Sequence, residues 1–162
     1  MAGRWIYVAS FCVCGAVSAQ TPDPTVEWTA AVASTAPAKR GAKATLELSA
    51  EVQEGWHVYA LVQEPGGPTP LRVTLETNPV AELAGKPSGS EPEKTHDPRF
   101  NLDTQFYTHS FALRVPVQLK QQAGAGTQQI PVSVRFQTCS ERECQPPKTV
   151  RLSVPVDVVP DA

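Results

Sequence analysis

Two cysteines, Cys139 and Cys144, bracket the four polar residues Ser140-Glu141-Arg142-Glu143, and a double proline, Pro146-Pro147, follows them. A pair this close in sequence can close a disulfide, and on an exposed loop it can also exchange it. Exchange runs by thiolate attack through a mixed disulfide, at a rate set by thiolate fraction and access. Glu141 and Glu143 would raise a neighbouring thiol pKa and Arg142 would lower it, so composition alone leaves the redox poise open. The spacing is not that of a Cys-x-x-Cys motif, and no helical pattern follows whose N-terminus would favour a thiolate. The other reading is a staple. Closing so short a loop constrains the unfolded chain by roughly 2 kcal/mol, and an isolated disulfide in an exported protein is more often structural than exchanging. The cysteines could join His57, His96 or His109 in a metal site, but zinc requires a compact, complete ligand set, and histidines spread along a β-protein are usually surface residues. No metal or other cofactor is expected.

The redox argument depends on compartment. Arg4 supplies a short positive region, Trp5 to Val17 is mostly apolar, and Val17-Ser18-Ala19 offers small residues for cleavage before Gln20, the layout of an export signal. The apolar run is shorter than the ~20 residues of a membrane span, and neither Cys12 nor Cys14 follows the pattern of a lipid anchor. The expectation is a signal peptide at residues 1–19 and one periplasmic or otherwise exported domain at 20–162. Cleavage removes Cys12 and Cys14, and the pair that remains is expected to be oxidised. The chain carries 14 Lys+Arg against 16 Asp+Glu with no basic run, which argues against nucleic acid as a partner. No long hydrophobic edge is evident, so a monomer is expected.

The elements that must position the pair read as strands. Ile130–Phe136 precedes the cysteine loop and Val150–Val156 follows it. Upstream, Val26–Val32 has the length of a strand. Thr45–Val52 alternates cleanly, with Leu46, Leu48, Ala50 and Val52 on one side. After Gly55, Trp56-His57-Val58-Tyr59 is a short aromatic strand with His57 and Tyr59 on one face and Trp56 and Val58 on the other. Pro65-Gly66-Gly67-Pro68 is a turn, and Leu71–Leu75 alternates again. Residues 79–99 show little periodicity and read mostly as loop. Tyr107–Leu119 reads as one strand, with Phe111, Leu113, Val115 and Val117 in phase and Pro116 marking an edge or bulge. Sixteen prolines and ten glycines, scattered rather than periodic, fit many turns and no long helix. The fold class is all-β, an immunoglobulin-like antiparallel β-sandwich, with a small barrel as the alternative from pattern alone. Trp56, Val58, Phe106 and Phe111 are assigned to its core.

Three separated segments, in order, resemble the N-terminal periplasmic domain family of the thiol–disulfide interchange protein DsbD, in its standalone form. Gly55-Trp-His-Val-Tyr59 resembles the family's aromatic strand. His96-Asp-Pro-Arg-Phe100, followed by Phe106-Tyr107, resembles its cap-loop segment. Phe136-Gln-Thr-Cys139 and Cys144-Gln-Pro-Pro147 resemble its redox loop. Each motif is weak alone; the ordered set covers most of the exported part of the chain.

The resemblance implies a sandwich that passes reducing equivalents from a membrane electron carrier to periplasmic thioredoxin-like proteins or disulfide isomerases. On that basis Cys144 is the exchanging cysteine and Cys139 the resolving one. Phe100 is the cap that covers the disulfide until a partner displaces it, and His57 and Tyr59 are the aromatic residues beside the active site. If active, the chain would be a reductase-type thiol–disulfide oxidoreductase. Two features depart from the family pattern. Four residues, not five, separate the cysteines, and Pro98 and Arg99 stand where acidic residues precede the cap phenylalanine. The resemblance does not extend to membrane-spanning or thioredoxin-like parts, so a separate membrane electron carrier is expected. The rival reading is a non-catalytic immunoglobulin-like binding module with a structural disulfide.

Overall fold

The computed structural model describes residues 23–160. The expected export signal at 1–19, with Cys12 and Cys14, lies outside the described residues. Twelve strands and no helix occur among the described residues: β1 (Val26–Val32), β2 (Lys43–Val52), β3 (Trp56–Tyr59), β4 (Arg72–Leu75), β5 (Ala81–Leu83), β6 (Ser88–Gly89), β7 (Glu93–Asp97), β8 (Leu102–Tyr107), β9 (Ser110–Leu119), β10 (Gly126–Phe136), β11 (Thr138–Ser140) and β12 (Lys148–Val158).

All named strand pairs are antiparallel. One sheet runs β1-β2-β9-β5, with β6 also on β9; a second runs β12-β10-β4; a third, smaller sheet runs β11-β3-β8-β7. The first two form the sandwich. Period-two alternation aims Leu46, Leu48 and Ala50 of β2 inward with Phe111, Leu113 and Val115 of β9, which lie opposite them in register. From the other sheet come Ile130, Val132 and Val134 of β10 and Val154 and Val156 of β12, and all of these belong to one buried cluster. This burial removes apolar surface from water at about 25 cal/mol per Å² and is the main source of stability.

Chain continuity places the third sheet. β2 leaves the sandwich through a turn at Gly55, whose φ of 85° suits glycine, and continues as β3. β8 passes into β9 through Thr108-His109, where His109 adopts φ 58°. β10 passes into β11 across the single residue Gln137. Three chain segments thus cross from the sandwich into the small sheet. An aromatic cluster fastens the junction: Trp28 of β1 meets Phe111 at 5.5 Å and Phe136 at 5.4 Å between ring centroids, and Tyr107 stacks on Phe111 at 4.2 Å. Such pairs contribute about 0.5–1.5 kcal/mol each beyond their burial.

Four expectations need correction. Residues 79–99, read mostly as loop, contain β5, β6 and β7. Their burial patterns, with Glu93–His96 all exposed, carry no inward apolar set for alternation to reveal. Tyr107–Leu119 is two strands in different sheets rather than one, divided at His109. Pro116 is neither at an edge nor in a bulge; it pairs with Thr45 within β9. Its carbonyl accepts from Ala84 N at 2.9 Å, so its backbone points away from β2 toward the end of β5, and the missing N–H costs β9 no bond to β2. Phe106, assigned to the core, lies outside the buried cluster, whereas Trp56, Val58 and Phe111 pack in or against it.

Leu48 is fully buried at the centre of the first sheet, where it pairs with Leu113 and Ala30. Leu48→Ala is expected to lower the unfolding free energy by about 2–5 kcal/mol, measured as a fall in the urea midpoint with little change in slope.

Candidate functional site

The site occupies one face of the small sheet. Strand β11 is three residues long and pairs with β3 so that Cys139 lies opposite His57 and Thr138 opposite Val58. Period two then divides the sheet. Thr138, Val58 and Tyr107 point into the sandwich and are buried. Cys139, His57 and Tyr59 share the opposite face, and the pairing of Tyr59 with Phe106 adds Phe106 to it. Across β7 and β8, where Asp97 lies opposite Leu102, the same face receives Asp97.

Cys139 and Cys144 are joined by a disulfide with Cα atoms 4.0 Å apart. The backbone explains the closeness. Ser140 N donates to Glu143 O at 2.7 Å and Gln145 N donates to Thr138 O at 2.9 Å. The cysteines therefore occupy the non-hydrogen-bonded position of an antiparallel bridge, the position that brings Cα atoms and side chains nearest. The Ser140 hydroxyl accepts from Arg142 N and Glu143 N, both at 3.2 Å, and tightens the intervening loop. The two sulfurs meet different surroundings: Cys139 is 0% exposed, whereas Cys144 is exposed.

The segment expected to form the cap, residues 98–101, is a four-residue loop between β7 and β8. Asp97 builds it. Its Oδ1 accepts from Arg99 N at 2.9 Å, its backbone carbonyl accepts from Phe100 N at 3.3 Å, and Asn101 closes the turn at φ 53°. The other carboxylate oxygen, Oδ2, accepts from the Tyr59 hydroxyl at 2.9 Å. Asp97 is 8% exposed, so these bonds replace water that the carboxylate has lost. The half-buried Phe100 ring stands edge-on to Tyr59, centroids 6.0 Å apart at 87°. Arg99, on the same loop, places Nη1 3.7 Å from Cys144 Sγ. A groove of about 740 Å³ begins at Ser140 and Glu141 and runs past His57, Phe106 and Arg99.

Electrostatics follow from this packing. Burial lowers the His57 pKa from its ordinary value; Asp97 and Glu93 oppose the shift and Arg99 adds to it. The ring packs against Tyr59 at 5.0 Å and Phe106 at 5.1 Å. Burial also pushes the Tyr59 phenol well above its ordinary range. Its hydrogen bond to the Asp97 carboxylate and that charge add to the effect, while Arg99 opposes it. Tyr59 is therefore a proton donor fixed on Asp97, not a base. Among the described residues no group of three or more His, Cys, Asp or Glu side chains is arranged to hold a metal ion.

The structure thus brings Cys139, Cys144, His57, Tyr59 and Phe100 to one small sheet and its two loops. Phe100 contacts Tyr59, and its neighbour Arg99 makes a hydrogen-bond contact to the disulfide. Residue-level reading missed Asp97 and the site position of Phe106. Asp97-Pro98 is a turn-initiating dipeptide, and an aspartate at that place commonly accepts from the backbone two residues on; that signal was available. Phe106 required knowing that β8 is separate from β9.

An antiparallel sandwich presenting one half-exposed disulfide on a sheet extension defines the class. The family model "Thiol:disulfide interchange protein DsbD, N-terminal" matches residues 22–155. The chain belongs to that family, and it is a thiol–disulfide exchange domain with Cys139 and Cys144 as its disulfide pair. Among solved structures, it is similar to the N-terminal periplasmic domain of ScsB from Proteus mirabilis, with 14% identity, a TM-score of 0.52, and 86% of this chain and 49% of that one covered. This likeness supports the fold; the match spans about half of the ScsB chain. The Neisseria meningitidis DsbD N-terminal domain in its reduced form aligns at 17% identity and a TM-score of 0.47, over 69% of this chain and 77% of that one. Comparison with curated protein sequences finds no significant match.

His57 yields a prediction with a definite sign. Its folded pKa lies below the ordinary value of 6.5, so the unfolded chain takes up the proton first as pH falls. Stability contributed by neutral His57 is present above about pH 6.5 and declines below it. Thermal midpoints followed from about pH 7.5 down to pH 5 should fall less steeply for His57→Phe than for the unaltered chain.

Proposed function

We propose that this chain is an exported domain that relays reducing equivalents between a separate membrane electron carrier and periplasmic thioredoxin-like or disulfide isomerase partners, through the Cys139–Cys144 pair. Family membership supports the exchange chemistry. The observation that carries the assignment of roles is the unequal access to the two sulfurs, Cys144 exposed and Cys139 wholly buried.

A partner thiolate reaches Cys144 Sγ. The Cys139–Cys144 bond breaks, a mixed disulfide forms on Cys144, and Cys139 leaves as the thiolate and takes up a proton. The partner's second thiolate then attacks its own sulfur in the mixed disulfide and releases Cys144, so two electrons enter the domain and the partner is oxidised. Delivery to an oxidised partner is the reverse: Cys144 attacks, and Cys139 resolves by re-forming the internal bond. Phe100, held by the Asp97 turn and resting on Tyr59, is the cap. A loop anchored through one carboxylate can swing aside for a macromolecule that binds it while obstructing small thiols.

Cys144→Ser should abolish reduction of a thioredoxin-like partner while the sandwich stays folded, and Cys139→Ser should trap a disulfide-linked complex at Cys144. Equal partner reduction by Cys144→Ser and the unaltered chain would sink the assignment. A reduction potential below about −300 mV, with no exchange with any partner, would instead mark the bond as a staple.

Phe100→Ala should speed reduction of the internal disulfide by glutathione roughly several-fold through increased access, measured by quenched alkylation. An unchanged rate would remove Phe100 from the cap role.

A further inference from the structure

The charged groups around Cys144 come from three elements. Its own loop carries Glu141, Arg142 and Glu143, β7 with the loop that follows it carries Asp97 and Arg99, and His57 stands on β3 opposite Cys139. Asp97 is occupied by Tyr59 and by the Arg99 backbone, and burial disfavours the cationic form of His57. The Arg99 guanidinium approaches Cys144 Sγ to 3.7 Å in donor geometry, and the turn around Asp97 fixes its backbone in place.

We propose that Arg99 is a catalytic residue of the exchange: its guanidinium donates to Cys144 Sγ and stabilises the thiolate whenever that sulfur carries charge. The inference rests on the exchange role proposed above and adds a residue to it. Cys144 is charged twice in the cycle. When the reduced domain delivers electrons, the Cys144 thiolate attacks the partner disulfide. When the domain receives them, Cys144 is the thiolate released as the partner's second sulfur closes its own bond. In both steps the electron pair resides on Sγ as the S–S bond forms or breaks, and a permanent cation at hydrogen-bond range lowers the free energy of that state. Arg99 therefore speeds exchange in either direction. It also stabilises the reduced form relative to the disulfide, which makes the pair more oxidising than it would be without the cation. Because Arg99 is exposed, water and salt screen the effect, which limits it to roughly half a pKa unit to one unit.

The magnitude of the rate effect follows. A thiol pKa raised by that amount cuts the thiolate fraction about three- to tenfold at a pH below it, but the more basic thiolate is intrinsically more nucleophilic, with a Brønsted coefficient of about 0.4–0.5. The net loss is about two- to fourfold.

The test uses the full chain with Cys139→Ser, so that Cys144 titrates without a coupled partner. Iodoacetamide labelling of the Cys144 peptide is followed by mass spectrometry across pH. Adding Arg99→Gln should move the midpoint up by roughly half a unit to one unit and slow labelling near neutral pH by about two- to fourfold. Arg99→Lys should stay close to the parent, and the difference should shrink as salt rises. A profile for Arg99→Gln that coincides with its parent, in protein that circular dichroism shows to be folded, overturns the proposal. Labelling requires no partner, so the two readings fail separately. Coincident profiles with intact partner reduction remove Arg99 alone. A shifted profile, in a chain whose Cys144→Ser variant reduces partners as well as the unaltered chain, removes the exchange role and the catalytic assignment with it.

Discussion

Three residues of β11 hold the site in register. On one side they pair with β3, which sets Cys139 against His57; on the other they bridge to Cys144 through bonds at Ser140 and Gln145. A slip of one residue would send Cys139 into the sandwich and Thr138 out to the surface. The slip is prevented locally, because Gln137, the one residue between β10 and β11, is itself engaged. Its carbonyl accepts from Tyr59 N at 3.2 Å and its side-chain oxygen accepts from Thr69 N at 3.0 Å. The long β10–β12 ladder, continuous from Gly126–Val158 to Phe136–Lys148, brings both ends of the redox loop to fixed positions. Disulfide chemistry is thereby carried by backbone hydrogen bonds of the sandwich itself rather than by a separate module.

The small sheet separates two environments with one layer of backbone. Its inner face belongs to the apolar core, where Val58 is fully buried. Its outer face carries a phenol, an imidazole, a carboxylate and the sulfur pair. Asp97 is the hinge between these functions. The same carboxylate that orients the Tyr59 hydroxyl holds the backbone of the loop that carries Arg99 and Phe100. Phe100 and Arg99 are therefore positioned together, and a displacement of the loop moves the ring and the charge at once.

The sandwich was legible where burial is one-sided. Leu46, Leu48, Ala50 and Val52 alternate with polar residues because one face of β2 meets the core, and Val26–Val32 and Trp56–Tyr59 lie at their expected bounds. The hairpin β7–β8 was illegible for the opposite reason. Glu93 to His96 are exposed, so no hydrophobic period marks that strand, and its identity comes from pairing with β8. Pro116 misled because strand-interior proline is usually excluded; here its backbone points away from β2, so the missing N–H costs no bond to that strand. In the site, the proximity of the cysteines was visible in their spacing, whereas the contact of Arg99 with Cys144 joins residues 45 positions apart and no local pattern encodes it.

The burial of Cys139 beneath an exposed Cys144 bears on oxidative damage. In the reduced domain a peroxide would meet Cys144 and form a sulfenic acid there. The adjacent nucleophile is Cys139, and its attack expels water and restores the internal disulfide, ahead of the irreversible sulfinic and sulfonic stages. The unequal exposure of the two sulfurs thus also diverts over-oxidation back into the disulfide.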